Sequence, residues 1–151
     1  MIRTAKLEDV KAIHTLGENV SEFTTGDATV TFWPESVLEA AIQNEAVITL
    51  VAEVGREIVG FIIANCNKPL SKALIENIYV HPNNRGHGIG AGLVQALIAE
   101  AKNRGYEYIA VLTPPDDAPA IKTYQKAGFV SGETFLWLDY SESERFRKEG
   151  G

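Results

Sequence analysis

A chain of 151 residues with 20 acidic against 14 basic side chains carries a formal charge of −6, which argues against a surface built to grip nucleic-acid phosphates and favours basic acceptors. Apolar residues at 45% and charged residues at 23% exclude disordered and fibrous classes, and the length suits one domain with a self-sufficient core. The single cysteine, Cys66, excludes an internal disulfide and a multi-cysteine metal site. No run reaches the ~18 apolar residues of a membrane span, and Lys6, Glu8, Asp9 and Lys11 break any signal-like stretch, so a cytoplasmic protein without metal, membrane or nucleic-acid partners is expected.

In chain order, residues 2–5 read as a short strand, and Leu7, Val10, Ile13, His14 and Leu16 fall at helical spacing, predicting a first helix over 7–20. Residues 21–32, rich in Thr and Gly, read as a loop leading to a second helix opened by Pro34, with Val37, Leu38, Ala41 and Ile42 as its apolar stripe. Two Val- and Ile-rich runs, 46–54 and 57–65, flank Gly55-Arg56 as an antiparallel strand pair on a tight turn. A polar loop over 67–72 precedes a strand over 73–80. Strict alternation there points Leu74, Glu76 and Ile78 one way and Ile75, Asn77 and Tyr79 the other, so that one carboxylate interrupts an apolar face.

A long helix begins at Ile89 and stops near Arg104-Gly105, a basic last turn closed by glycine. Residues 109–113 form another strand, Pro114-Pro115 a turn, and 120–127 a helix ended by Gly128. A final strand pair is expected at 129–130 and 134–140, then a charged tail over 141–151. Nothing marks a repeat or a linker, so residues 1–140 are expected to form one mixed α/β domain.

The order strand, Arg85-Gly86-His87-Gly88-Ile89-Gly90, amphipathic helix aims unpaired N–H groups of a helix start at whatever anion sits above it. Glycines let the backbone approach an oxyanion and permit positive φ, and Arg85 can add charge-assisted hydrogen bonds. A Walker A loop is excluded because Ala91-Gly92 follows Gly90 instead of Lys-Ser/Thr. The ladder G-x-G-x-G-x-G also fails the dinucleotide fingerprint G-x-G-x-x-G.

Val80-His81-Pro82 followed by Arg85 to Gly90 resembles the acetyl-CoA motif V-x-P…R/Q-x-x-G-x-G/A of the GCN5-related N-acetyltransferase (GNAT) family. Ala120-Ile121-Lys122-Thr123-Tyr124-Gln125-Lys126-Ala127-Gly128-Phe129 is similar to the family's later A-x-x-x-Y-x-x-x-G-F segment. The resemblance spans nearly the whole chain. It implies a mixed, mostly antiparallel sheet flanked by helices on both faces, acetyl-CoA as co-substrate, and transfer of its acetyl group to a primary amine by direct attack. The acceptor is left open among small amines, amino acids, antibiotics and protein amino termini. The alternative from another class is a non-catalytic acetyl-CoA-binding sensor.

Carried over residue by residue, the resemblance implies that the backbone of Ile78, Tyr79 and Val80 holds the pantetheine arm, where a bulge splays the strand from its neighbour. The loop Arg85, Gly86, His87, Gly88, Ile89 and Gly90 takes the pyrophosphate. Tyr124 falls on the family's tyrosine and is expected to touch the cofactor and protonate the departing thiolate. Glu76 is the candidate base, its carboxyl expected to be raised by burial among apolar neighbours. Asp117 departs from the pattern, which often has Asn there, and is either a cofactor contact or a helix cap. Phe23, Phe32 and Trp33 surround the expected acceptor loop and suit an amine with apolar surface. Likeness to dimeric family members implies a homodimer in which the final strand pair, with Trp137 and Tyr140, adds to another subunit.

Overall fold

A computed structural model describes residues 1–18, 20, 32–138 and 140. Among the described residues five strands form one sheet in the order β1 (Ile2–Thr4), β2 (Val47–Val54), β3 (Glu57–Asn67), β4 (Lys72–Val80), β5 (Tyr108–Val111). All neighbours are antiparallel except β4 and β5. A parallel pair needs a crossover, and α3 (Ile89–Asn103) provides it.

Helices cover both faces, as the resemblance implied. Leu93, Val94, Leu97 and Ala101 of α3 share a core with Ile48, Leu50, Ile62, Ala73 and Ile75, and α4 (Ala118–Lys126) adds Tyr124 to it. On the opposite face α1 (Val10–Gly17) and α2 (Glu35–Gln43) bury Val10, Ile13, Leu38 and Ala41 against Val51, Phe61 and Ile63. The alternating strand β3 is therefore buried on both sides, which explains its unbroken apolar run.

Several boundaries differ from the expectation. The first helix opens as a 3-10 turn, Leu7–Asp9, and α1 ends at Gly17. Pro34 caps α2 from outside its first turn, and Val37 of the expected stripe is exposed. α4 starts at Ala118, two residues before the expected 120, and ends at Lys126. The final strand pair is not formed: residues 129–138 carry neither helix nor strand. A strand exists only through a ladder with a neighbour, and these residues make none. Asp139 of that expected strand, Phe23 and the tail 141–151 lie outside the described residues.

Candidate active site

Strand β4 ends at Val80 and passes into a 3-10 turn, Pro82–Asn84, capped by His81, whose Nδ1 accepts from the Asn83 N–H at 3.2 Å. Gly86 and Gly88 follow with φ of +80° and +78°. A Cβ at either would meet nothing within 4 Å, so conformation, not crowding, requires glycine; the left-handed region costs other residues about 1–2 kcal/mol. Gly88 is the N-cap of α3 and supplies no side-chain cap. The first-turn N–H groups of α3 therefore lack an intrahelical acceptor and carry the positive end of the helix dipole. The loop's two cationic candidates turn back to the protein. Arg85 Nε donates to the Val80 carbonyl at 2.8 Å, with its guanidinium 5.4 Å from the centre of the Tyr79 ring. His87 Nδ1 lies 3.4 Å from the Asn84 carbonyl. What faces an anion here is backbone, a cradle that fits a diphosphate.

Beside the loop the sheet parts. β4 pairs with β5 only from Lys72 to Ile75, because β5 ends at Val111, shortly before Pro114-Pro115. On its other edge, β4 faces β3 with Val80 opposite Gly60 and Ile78 opposite Ile62. His81 N–H donates to the Val59 carbonyl at 2.8 Å. Antiparallel alternation then makes Tyr79 the residue bonded to Phe61 and turns the N–H and C=O of Ile78 and Val80 toward the vacated side. The slot thus presents backbone groups of Ile78 and Val80, but those of Tyr79 are committed to β3, a correction to the three-residue expectation. The Val80 carbonyl is already engaged by Arg85, leaving its N–H as that residue's available group.

A bulge sits in β4 where the slot begins. Ile63 faces Asn77 and Ala64 faces Ile75, so Glu76 is an extra residue. The extra residue resets the alternation: Ala73 and Ile75 before it and Ile78 and Val80 after it all pack on the α3 side. Strict alternation across 73–80 was therefore wrong. Glu76 is also exposed rather than buried, which removes the desolvation argument for it as a base. Its Oε1 accepts from Asn65 Nδ2 at 3.2 Å. Asn77 shares the face of its partner Ile63, the α1–α2 side, and its Oδ1 is buried without a hydrogen-bond partner. Asn65 and Asn77 were not singled out from sequence; their signal was a polar amide in a mostly apolar stretch of each strand.

Tyr124 is buried in the α3-side core together with Ile75, Ile78 and Val111, which border the slot, and meets Phe129 edge to face at 5.5 Å. Burial, and then the nearby Asp117 charge, push its phenol up to about 12. Asp117 is the N-cap of α4, its carboxylate accepting from the Ala120 N–H at 3.2 Å, which is the capping alternative. Phe32 is fully packed on Phe61, 5.4 Å between ring centres, so it belongs to the core rather than to an acceptor surface. Among the described residues no group of three or more His, Cys, Asp or Glu is arranged to hold a metal, and no helix is long and apolar enough to cross a membrane.

Known proteins resemble this chain in sequence or in fold. An uncharacterized N-acetyltransferase of Methanocaldococcus jannaschii is 34% identical over 94 residues, covering 58% of this chain and 42% of its own; the chain thus spans less than half of that relative. The ribosomal-protein-alanine N-acetyltransferase of Brucella melitensis superposes with a TM-score of 0.67 at 21% identity, over 93% of this chain and 99% of that one. The aminoglycoside N-acetyltransferase AAC(6')-Iy, in complex with CoA, does so with a TM-score of 0.74 at 19% identity, over 93% and 99%. At such identities the likeness is one of fold. The profile of the Acetyltransferase (GNAT) family matches residues 15–129, most of the chain, and with the glycine cradle, the parted strands and Tyr124 in place, the chain belongs to that family.

Proposed function

We propose that this chain transfers the acetyl group of acetyl-CoA to a primary amine by direct attack, as one domain over residues 1–140, in the cytoplasm and as a homodimer. The reading is carried by one observation: β5 leaves β4 after Ile75, so an unfilled ladder of backbone groups lies beside a glycine-lined helix start. An extended arm bearing amides and ending in a diphosphate fits such a surface.

Acetyl-CoA bound there supplies a thioester whose carbonyl carbon is open to attack. Backbone N–H groups from Gly86 to Gly90 and the first turn of α3 hold the diphosphate, and Ile78 and Val80 hold the arm. A donor such as the Val80 N–H, aimed at the carbonyl oxygen, stabilises the charge that develops during attack. The amine approaches from the α1–α2 face, where Glu76, fixed by Asn65, takes its proton directly or through water. As the new N–C bond forms and the C–S bond breaks, the neutral Tyr124 hydroxyl gives its proton to the departing sulfur. Net negative charge draws a cationic amine toward the site.

The test is a screen of small amines, amino acids, aminoglycosides and amino-terminal peptides at saturating acetyl-CoA, reading release of free thiol. Release that depends on one acceptor class, with the acetylated amine found by mass spectrometry, is expected. Tight acetyl-CoA binding with no release from any acceptor would replace this reading with the non-catalytic sensor.

A further inference from the structure

We propose that the cleft where β1 ends and β2 begins binds a free α-amino acid with a large apolar side chain, at a site separate from the slot. The cleft encloses about 670 Å³, within the ~300–1,000 Å³ usual for small-molecule sites. It lies among the end of α2, the chain after β3 and the chain after α3, and none of its lining residues belongs to the slot or to the glycine cradle.

The floor is made by Ala5, Val47, Thr49 and Tyr106, all buried, a surface for an apolar side chain with one polar exception. Thr49 is 3% exposed, and its Oγ1 has no hydrogen-bond partner. Buried polar atoms without a partner are few in folded proteins, and each destabilises the chain that keeps it. The Thr49 backbone carbonyl accepts from the Ala5 N–H at 2.9 Å, so the hydroxyl is not needed to close the strand edge. Valine would fill the same shape without the orphan. A threonine hydroxyl both donates and accepts, and can therefore meet either charged end of an amino acid.

The rim carries both signs and keeps them apart. Arg104 is committed to the protein. Its Nε donates to Glu100 at 2.6 Å, and its Nη1 donates to the carbonyls of Glu45 and Val47 at 3.3 and 3.1 Å. It fixes the rim in place, and Glu100 balances its charge. Lys68 and Glu45 are left over. Lys68 Nζ sits 4.8 Å from the centre of the Tyr106 ring and donates to the Arg104 carbonyl. The Glu45 carboxylate lies near the same residue, where, after burial and Cys66, it helps to push the Tyr106 phenol up. Among the described residues neither Lys68 nor Glu45 belongs to an ion pair.

One unpaired cation and one unpaired anion beside a buried ring, with an orphan hydroxyl in the same floor, suit a zwitterion. Its carboxylate meets Lys68, its ammonium meets Glu45, and its side chain lies on the floor. A simple anion would leave Glu45 unmatched, and a simple cation would leave Lys68 unmatched. α2 ends at Gln43, and the negative end of its dipole adds to the ammonium side.

The test uses the full chain without acetyl-CoA or acceptor, so it is independent of the acetyl-transfer reading. Calorimetry with L-phenylalanine is expected to show one saturable site. Hydrocinnamate, which lacks the ammonium, and phenethylamine, which lacks the carboxylate, should each bind about tenfold more weakly or worse. L-phenylalanine should shift the NMR amide signals of residues 44–49 and 104–106 and leave those of 76–90 in place. Thr49→Val keeps the shape and removes the orphan hydroxyl, so it should raise Tm without ligand while weakening phenylalanine binding about tenfold; a purely structural Thr49 would not give that pairing. Lys68→Ala should weaken phenylalanine and hydrocinnamate but not phenethylamine. The proposal is overturned by no saturable binding at millimolar concentration, by hydrocinnamate bound as tightly as phenylalanine, or by shifts centred on 76–90. A Thr49→Val variant that is less stable, or that binds phenylalanine like the wild type, overturns it equally.

Discussion

Tyr124 combines two demands that usually conflict. Its ring is core, and its hydroxyl forms no hydrogen bond with the described residues. Burial and the Asp117 charge disfavour the phenolate, so the group stays protonated through pH 10 and titrates near 12. The sign matters: an acid catalyst is lost as pH rises through its folded pKa, so any alkaline loss of rate that Tyr124 causes should be centred near 12 rather than 10. In Tyr124→Phe, kcat should fall by about 10²–10⁴, the usual contribution of a positioned proton donor, with acetyl-CoA affinity nearly unchanged; unchanged turnover would end the assignment. Glu76 poses a different question, since its exposure leaves its hydrogen bond to Asn65 as its described anchor. Glu76→Gln keeps that bond's acceptor and removes the base, so the rise of rate with pH should flatten. An unaltered profile would move the proton to a water relay.

At the scale of elements, α1 and the chain entering α2 are locked by one contact. A Cβ on Gly17 would overlap the Phe32 ring, which in turn packs on Phe61 of β3. Gly17 is the last residue of α1, so replacing it gains at most ~1 kcal/mol of helix propensity. Overpacking of a filled core costs about 1–3 kcal/mol and wins here, so Gly17→Val should lower Tm and disturb acceptor rather than acetyl-CoA binding. Gly88→Ala works on the other side of the sheet. Forcing a Cβ into the left-handed N-cap of α3 should weaken acetyl-CoA binding about tenfold, the equivalent of ~1.4 kcal/mol, measurable by calorimetry, with little change in acceptor KM. Both glycines were visible in the sequence, but only one had a readable reason. The loop announced itself by order and spacing, whereas Gly17 depends on a ring fifteen positions away.

The same contrast runs through the strands. The apolar runs that became β2 and β3 were legible because burial on both faces leaves no ambiguity of phase. In β4 the phase was lost, because a bulge inserts a residue without leaving a turn residue as its mark. Asp117 was legible as a cap, because Asp placed before a Pro-containing first turn has a local purpose. The last strands were misread because residues 134–138 have a strand's composition but form no ladder with the other described residues, and composition does not supply a partner.

Across the whole molecule, the edge of the sheet far from β5 is held by charge. Arg3 on β1 bridges Asp9 at 2.7 Å and Glu53 of β2 at 2.9 Å. Burial pushes the Asp9 carboxyl up, and hydrogen bonds from Arg3 and the Lys6 N–H more than offset it, leaving it below the ordinary carboxylate range. A carboxyl depressed in the folded state stabilises the fold above its unfolded pKa and loses that contribution as pH falls below about 4. Arg3→Met leaves Asp9 buried without its cation, which by analogy with broken buried pairs costs about 3–5 kcal/mol. Chemical denaturation at pH 7 should show that loss. At pH 3 the gap between variant and wild type should narrow, because protonation removes the stranded charge.

The gap between β4 and β5 has a kinetic consequence. On the proposed function it makes the sheet a partition with a doorway: the acyl donor would lie against α3 and α4, the acceptor would arrive past α1 and α2, and the two would meet only at the threshold. Neither reactant has to vacate its compartment for the other to enter, so both can be present at once and initial-velocity lines should intersect rather than run parallel. The acceptor compartment can then be rebuilt, by changes confined to α1 and α2, while the donor compartment stays as it is.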